Sequence, residues 1–171
     1  MRTHEIIATL LACIFLAACA SPLPAVPAAA TAAPVHSSSN GGFAIYLQDQ
    51  PEQPLVSMED VIDYTAQSHT IQLTPAAFER INRLRVPTQG MPFMVSAGGE
   101  TIYRGALWPL YSSASFDGVV ILVPLNSYSI AATPYTIRLT LGYPSETFFR
   151  GPDPRSDARV LQALEQAGKL K

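Results

Sequence analysis

The stretch that most constrains the fold is Pro92-Phe93-Met94-Val95-Ser96-Ala97, Gly98-Gly99, Glu100-Thr101-Ile102-Tyr103-Arg104-Gly105-Ala106. Two runs of strand-like residues meet at a glycine pair, and Gly-Gly accepts the positive φ angles that a two-residue hairpin turn requires. A hairpin is antiparallel, so any sheet containing it is not purely parallel. Phe43 to Leu47 is aromatic, apolar and β-branched, and Thr70 to Leu73 alternates like a half-buried strand. Gly118 to Val123 is a continuous apolar run suited to a central strand, ended by Pro124. Tyr135 to Leu141 alternates, with Tyr135, Ile137, Leu139 and Leu141 on one side, up to Gly142-Tyr143-Pro144. Helix starts are signalled three times. Ser57-Met58-Glu59-Asp60 has the serine and acid spacing of a cap before Val61 and Ile62, for a short helix. Thr74-Pro75 pairs an N-cap with proline at the first helical position. The second helix runs to about Leu84, with Ala77, Phe78, Ile81 and Leu84 inward and Arg80, Arg83 and Arg85 as a solvated face. Ser156-Asp157 opens the third, through about Ala167, with Gly168 as C-terminal punctuation. Gln48 to Pro54 reads as a polar turn. The expected fold is α+β: a mixed or antiparallel sheet with about three helices packed on it.

The N-terminus has a different character. After Met1-Arg2, an apolar run from Ile6 to Ala18 leads to Leu16-Ala17-Ala18-Cys19. The run falls well short of the roughly 20 apolar residues that span a bilayer, and it fits the apolar core of a signal peptide. With small residues before a cysteine, the segment resembles the lipobox of bacterial lipoprotein precursors. The resemblance implies removal of residues 1–18, diacylglycerol on the Cys19 thiol and acylation of the new amino group. It implies a cell-envelope location, held to a membrane by lipid. Ala20, which is not Asp, implies the outer membrane, facing the periplasm, in a two-membrane cell. Residues 19–41 hold Pro22, Pro24, Pro27 and Pro34 among alanines, then Ser37-Ser38-Ser39-Asn40-Gly41. They read as a linker, whose reach at about 3.1 Å per residue is on the order of 60 Å. His36 is a solvated linker residue. Residues 42–171 make the single α+β domain.

Charged residues are 14% of the chain and the formal net charge is −2. That balance gives no electrostatic footprint for nucleic acid, so no nucleic-acid partner is expected. Of the two cysteines, Cys13 leaves with the leader and Cys19 carries lipid, so the mature domain has no disulfide and is held by packing. No histidine pair stands at ligand spacing, and neither metal nor cofactor is expected.

Within the body, Leu55-Val56-Ser57-Met58-Glu59-Asp60-Val61, Ile71-Gln72-Leu73-Thr74-Pro75-Ala76-Ala77, and Phe93-Met94-Val95 with its Gly-Gly turn leading to Ile102 resemble the head of the first periplasmic domain of SecD, a protein-export subunit. The resemblance spans about Leu55 to Val123 and implies an α+β fold; SecD's membrane-helix energy coupling does not follow.

Catalytic sets are poorly signalled. Ser112, Ser113 or Ser115 with His69 and Asp117 or Asp63 form a trio on paper, yet no Gly-x-Ser-x-Gly elbow surrounds any serine. Histidine 69 is expected to hydrogen-bond the backbone. Glu100, Asp117 and Glu146 are a carboxylate set whose separation the sequence does not give. Asp153 and Asp157 fit helix capping better than an EF-hand. Leu107 to Asp117 reads as a structured loop carrying Trp108, Tyr111 and Phe116, flanked by Tyr103 and Arg104. Aromatics and arginine anchor interfaces, while the competing reading has Trp108 and Phe116 covering the end of the sheet. The expectation is a non-catalytic envelope module that presents this loop to a protein or peptide. A small-ligand or glycan-binding lipoprotein is the alternative, and an envelope hydrolase a further one.

Overall fold

The computed structural model describes residues 42–125 and 134–171. Cys19, the leader and the linker lie outside the described residues. The described residues are α+β, with mixed and antiparallel sheets and two α-helices among them. The strands among the described residues are nine: β1 Ala44–Leu47, β2 Gln50–Val56, β3 Val61–Thr65, β4 Thr70–Leu73, β5 Met91–Ala97, β6 Glu100–Pro109, β7 Phe116–Val123, β8 Thr136–Arg138 and β9 Thr140–Tyr143. The helices are α1 Pro75–Asn82 and α2 Ala158–Gln166. Six strands make one sheet in the order β2-β1-β5-β6-β7-β9, and three make another in the order β3-β4-β8.

The β5–β6 hairpin sits at the centre of the large sheet, turning at Gly98 and Gly99, both with positive φ. Buried side chains from the two sheets and both helices meet in one core: Ile45, Phe93 and Ile121 from the large sheet, Tyr64, Ile71 and Ile137 from the small one, and Ile81 and Leu164 from the helices. Thr74 caps α1 by accepting from the Ala77 N–H, and Asp157 caps α2 by accepting from the Arg159 N–H.

The first of the three expected helices, the short one at Ser57, does not form. Ser57 and Asp60 do make the reciprocal cap, with the Ser57 N–H donating to Asp60 Oδ2 at 2.9 Å. The helix stops after a single 3₁₀ turn, Met58–Asp60, because the next five residues form β3, which pairs with β4, Val61 opposite Leu73 and Thr65 opposite Thr70. Sheet pairing overrides the cap. Arg80 of α1 is correspondingly more than a solvated charge: it donates to the Leu55 carbonyl at 2.9 Å and to Asp60 at 2.6 Å, binding the helix to this turn.

The expected turn at Gln48 to Pro54 is largely strand. Gln50 to Gln53 are exposed at the sheet's edge and show no apolar alternation, while Pro51 and Pro54 guard that edge against further pairing. The single strand expected from Tyr135 to Leu141 is two. β8 pairs with β4 and β9 with β7, so the chain changes sheets at buried Leu139. Its backbone groups are met there: the Leu139 N–H donates to the His69 carbonyl at 2.9 Å and its carbonyl accepts from Arg155 at 2.8 Å.

Candidate functional site

Strand periodicity divides the five expected binding residues. β6 continues to Pro109, so Trp108 lies on a strand, not in a loop. Arg104, Ala106 and Trp108 share one face of the sheet, and Tyr103 and Leu107 take the other. Tyr103 is therefore buried in the main core, while Arg104 is exposed. Trp108 is only 4% exposed and anchors a small cluster on its own side with Ala106 and Val120. Phe116 stacks on the indole at 5.0 Å between centroids, and Tyr143 tilts against it at 6.1 Å.

The reason for that burial lies in the β6–β7 connection. These strands run parallel, Gly105 opposite Val119 and Pro109 opposite Val123, so the segment between Pro109 and Phe116 must run back along the strands. It does so beside Trp108: Ser112 donates to the Thr88 carbonyl at 2.7 Å, and the Tyr143 hydroxyl donates to the Leu110 and Ser112 carbonyls at 2.8 and 3.2 Å. Gly90, at φ +82, gives the indole its other wall, since a β-carbon there would overlap the ring.

Tyr111 is what this connection presents, with 69% of its surface exposed. Beside Phe116 is a cleft of about 370 Å³ lined by Ser115, Phe116, Asp117, Phe148 and Arg150. Phe148 is 41% exposed, on the 3₁₀ turn Glu146–Phe148, and the Arg150 N–H donates to the Asp117 carbonyl at 3.0 Å. Tyr143, Phe148 and Arg150 were not legible as site residues, because they reach this end of the sheet through β9 pairing with β7.

The catalytic trio is not assembled by hydrogen bonds among the described residues. The Ser112 hydroxyl donates to the Thr88 carbonyl and accepts from the Ala114 N–H. His69 Nδ1 is hydrogen-bonded to the Tyr64 hydroxyl at 2.9 Å, a side-chain partner rather than the expected backbone one. Asp63 pairs with Lys171 at 2.8 Å, and Glu100 pairs with Arg159 at 3.2 Å. Among the described residues, no group of three or more acidic, histidine or cysteine side chains is arranged to hold a metal ion.

A second polar cluster surrounds His69. Arg155 is held by Asp153 through bonds of 2.7 and 2.9 Å, and its own carbonyl lies 3.4 Å from the Tyr64 hydroxyl. Burial pushes the Tyr64 phenol up to about 12, and Tyr103 is raised further by the same cause. The Arg155 hydrogen bonds hold Asp153 below its usual range. Burial, and secondarily Arg155, lower the His69 pKa below 6.5. The folded state therefore favours neutral imidazole, and stability present above the unfolded-state pKa near 6.5 is lost as pH falls toward the depressed folded value. Unfolding titrations between pH 7 and 5 should show this loss. In His69→Asn, whose side chain tolerates the φ of +49 found here, the dependence should flatten; an unchanged slope would assign it to other groups.

Comparison with protein-family models, with curated proteins and with solved structures finds no match for this chain.

Proposed function

We propose that this chain is a lipid-anchored domain of the bacterial cell envelope that acts as a non-catalytic protein- or peptide-interaction module. The observation that carries the reading is the aromatic end of the large sheet, where exposed Tyr111 stands on the connection that leads into Phe116, and Phe116 lines a cleft with Phe148 and Arg150. Exposed aromatics around a rigid buried scaffold, with an arginine beside them, are the ingredients of an interface hot spot. The lipobox-like segment and the linker support a location on a membrane of the envelope.

A photo-crosslinking residue at Tyr111 in the lipidated protein should capture one dominant protein adduct in cells. Phe148→Ala and Arg150→Ala should each weaken that capture by about tenfold or more, the size of a hot-spot loss, while leaving the unfolding midpoint in place. If the folded, probe-bearing protein yields no adduct, this end of the sheet is not an interface.

A further inference from the structure

The outer face of the small sheet carries a second concave surface, which meets the aromatic end of the large sheet at Leu122 and Tyr143. A cleft of about 1330 Å³ opens there, lined by residues of β3, β4, β8 and β9 together with Phe78 of α1, Leu122 of β7 and the neighbouring turns. It exceeds the roughly 300–1,000 Å³ of ordinary small-molecule pockets, so its volume suits an extended ligand.

The floor follows from strand register. Thr65 lies opposite Thr70, and Thr70 opposite Arg138; one row along, Asp63 lies opposite Gln72, and Gln72 opposite Thr136. Alternation puts Val61, Tyr64, Ile71, Leu73 and Ile137 into the core, which leaves these two rows of hydroxyl, amide and charged groups facing outward. Neighbouring strands lie about 4.8 Å apart, close to the advance of one sugar unit in an extended glycan.

The charges in the cleft largely cancel. Lys171 neutralises Asp63 at 2.8 Å, and Arg155 is held by Asp153 at 2.7 Å. Arg138 and Glu146 are of opposite sign, and His69 is kept neutral by its buried surroundings. With its charges of both signs so balanced, the surface suits a neutral ligand rich in hydroxyl groups.

Three aromatic side chains, Phe78, Tyr135 and Tyr143, also line the cleft. Tyr135 is 40% exposed and braced edge-on by Phe78 at 5.6 Å. It has a φ of +59, and His69, also in the lining, has +49; among the described residues these are the two non-glycine residues with positive φ. Backbone strain of this kind concentrates at functional sites. A tyrosine face over a floor of amides and hydroxyls matches the two sides of a pyranose, its C–H face and its hydroxyl edge.

A peptide fits this place less well. Strand addition extends a sheet in its own plane at an open edge and would leave this outer face uncovered, and the β3 edge is moreover already taken: the Tyr64 N–H donates to the Lys169 carbonyl, while the Lys171 and Ala66 N–H groups donate to the Tyr64 and Lys171 carbonyls.

We infer that the outer face of the β3-β4-β8 sheet binds a neutral linear glycan, laid across the strands with a sugar against Tyr135 and hydroxyls on Gln72 and Thr70. This inference does not depend on the aromatic interface at the other site. The test is titration calorimetry of the full chain in detergent with chitotetraose and, separately, cellotetraose. Saturable binding of at least one is expected. Gln72→Ala and Tyr135→Asn, the latter chosen because asparagine tolerates positive φ, should each weaken it about tenfold or more. Tyr111→Ala should leave it unchanged. Absence of binding to both oligosaccharides at millimolar concentration, with the protein folded by its unfolding midpoint, overturns the inference. So does binding that survives both cleft substitutions, or a cleft that takes up an uncharged hexapeptide in preference to either glycan.

Discussion

Cys19→Ala is expected to eliminate incorporation of labelled palmitate completely, while the unsubstituted chain is labelled and gives an N-terminal peptide that begins at acylated Cys19. The expectation rests on chemistry that only a thiol supplies, since the glyceride is attached as a thioether and alanine has no nucleophile. Anchoring should be just as absolute. Each buried CH₂ contributes about 0.8 kcal/mol, one chain alone holds a protein only marginally, and two or three hold it stably. Wild-type protein should therefore stay in the membrane fraction through high-salt and alkaline washes. An ordinary secretory leader predicts a different result: cleavage after Ala18, a free thiol on Cys19 and no label in either protein. That outcome would end the lipoprotein reading and, with it, the assignment to a membrane surface.

The largest loss of stability is expected at Gly105. This residue lies in β6 between Phe93 of β5 and Val119 of β7, and a β-carbon on it would overlap both the Phe93 ring and the Val119 carbonyl oxygen. Overpacking usually costs about 1–3 kcal/mol. Gly105→Ala should reach about 3 kcal/mol or more, because the Val119 carbonyl is fixed by the sheet and Phe93 is fully buried. The corresponding fall in unfolding midpoint is on the order of 10 °C. Gly105→Ala with Phe93→Leu should recover only part of it, since the carbonyl clash persists. A midpoint within about 2 °C of wild type would mean that the strands separate here without cost, contrary to their central place in the sheet.

The hairpin, β4, α1 and α2 were legible because each has a local signature: a Gly-Gly turn, alternation, Thr74-Pro75, Ser156-Asp157. What escaped was decided at a distance. β2 has little local pattern because it lies on an edge, and β3 was masked by a genuine cap at Ser57. The break at Leu139 leaves the alternation of its neighbours intact, so a strand in two sheets reads as one. The aromatic site was half legible for the same reason. Tyr111 and Phe116 could be placed near one another from sequence separation, but assigning Trp108 to a loop concealed that alternation sends Tyr103 to the opposite face. Phe148 and Arg150 join only through the pairing of β9 with β7. The cleft over the small sheet was not legible at all, since its floor is a register that β8 completes from far along the chain beside β3 and β4.

One consequence concerns mechanical load. β1 begins at Ala44, directly after the first described residues, and is an interior strand with β2 on one side and β5 on the other. A pull transmitted along the strand from residue 42 would meet both ladders in shear, so that many hydrogen bonds must yield together instead of parting one after another. Had the N-terminal strand been an edge strand pulled sideways, it could peel away bond by bond. A domain tethered through this end can thus be tugged by a moving membrane or a bound partner while its fold stays closed.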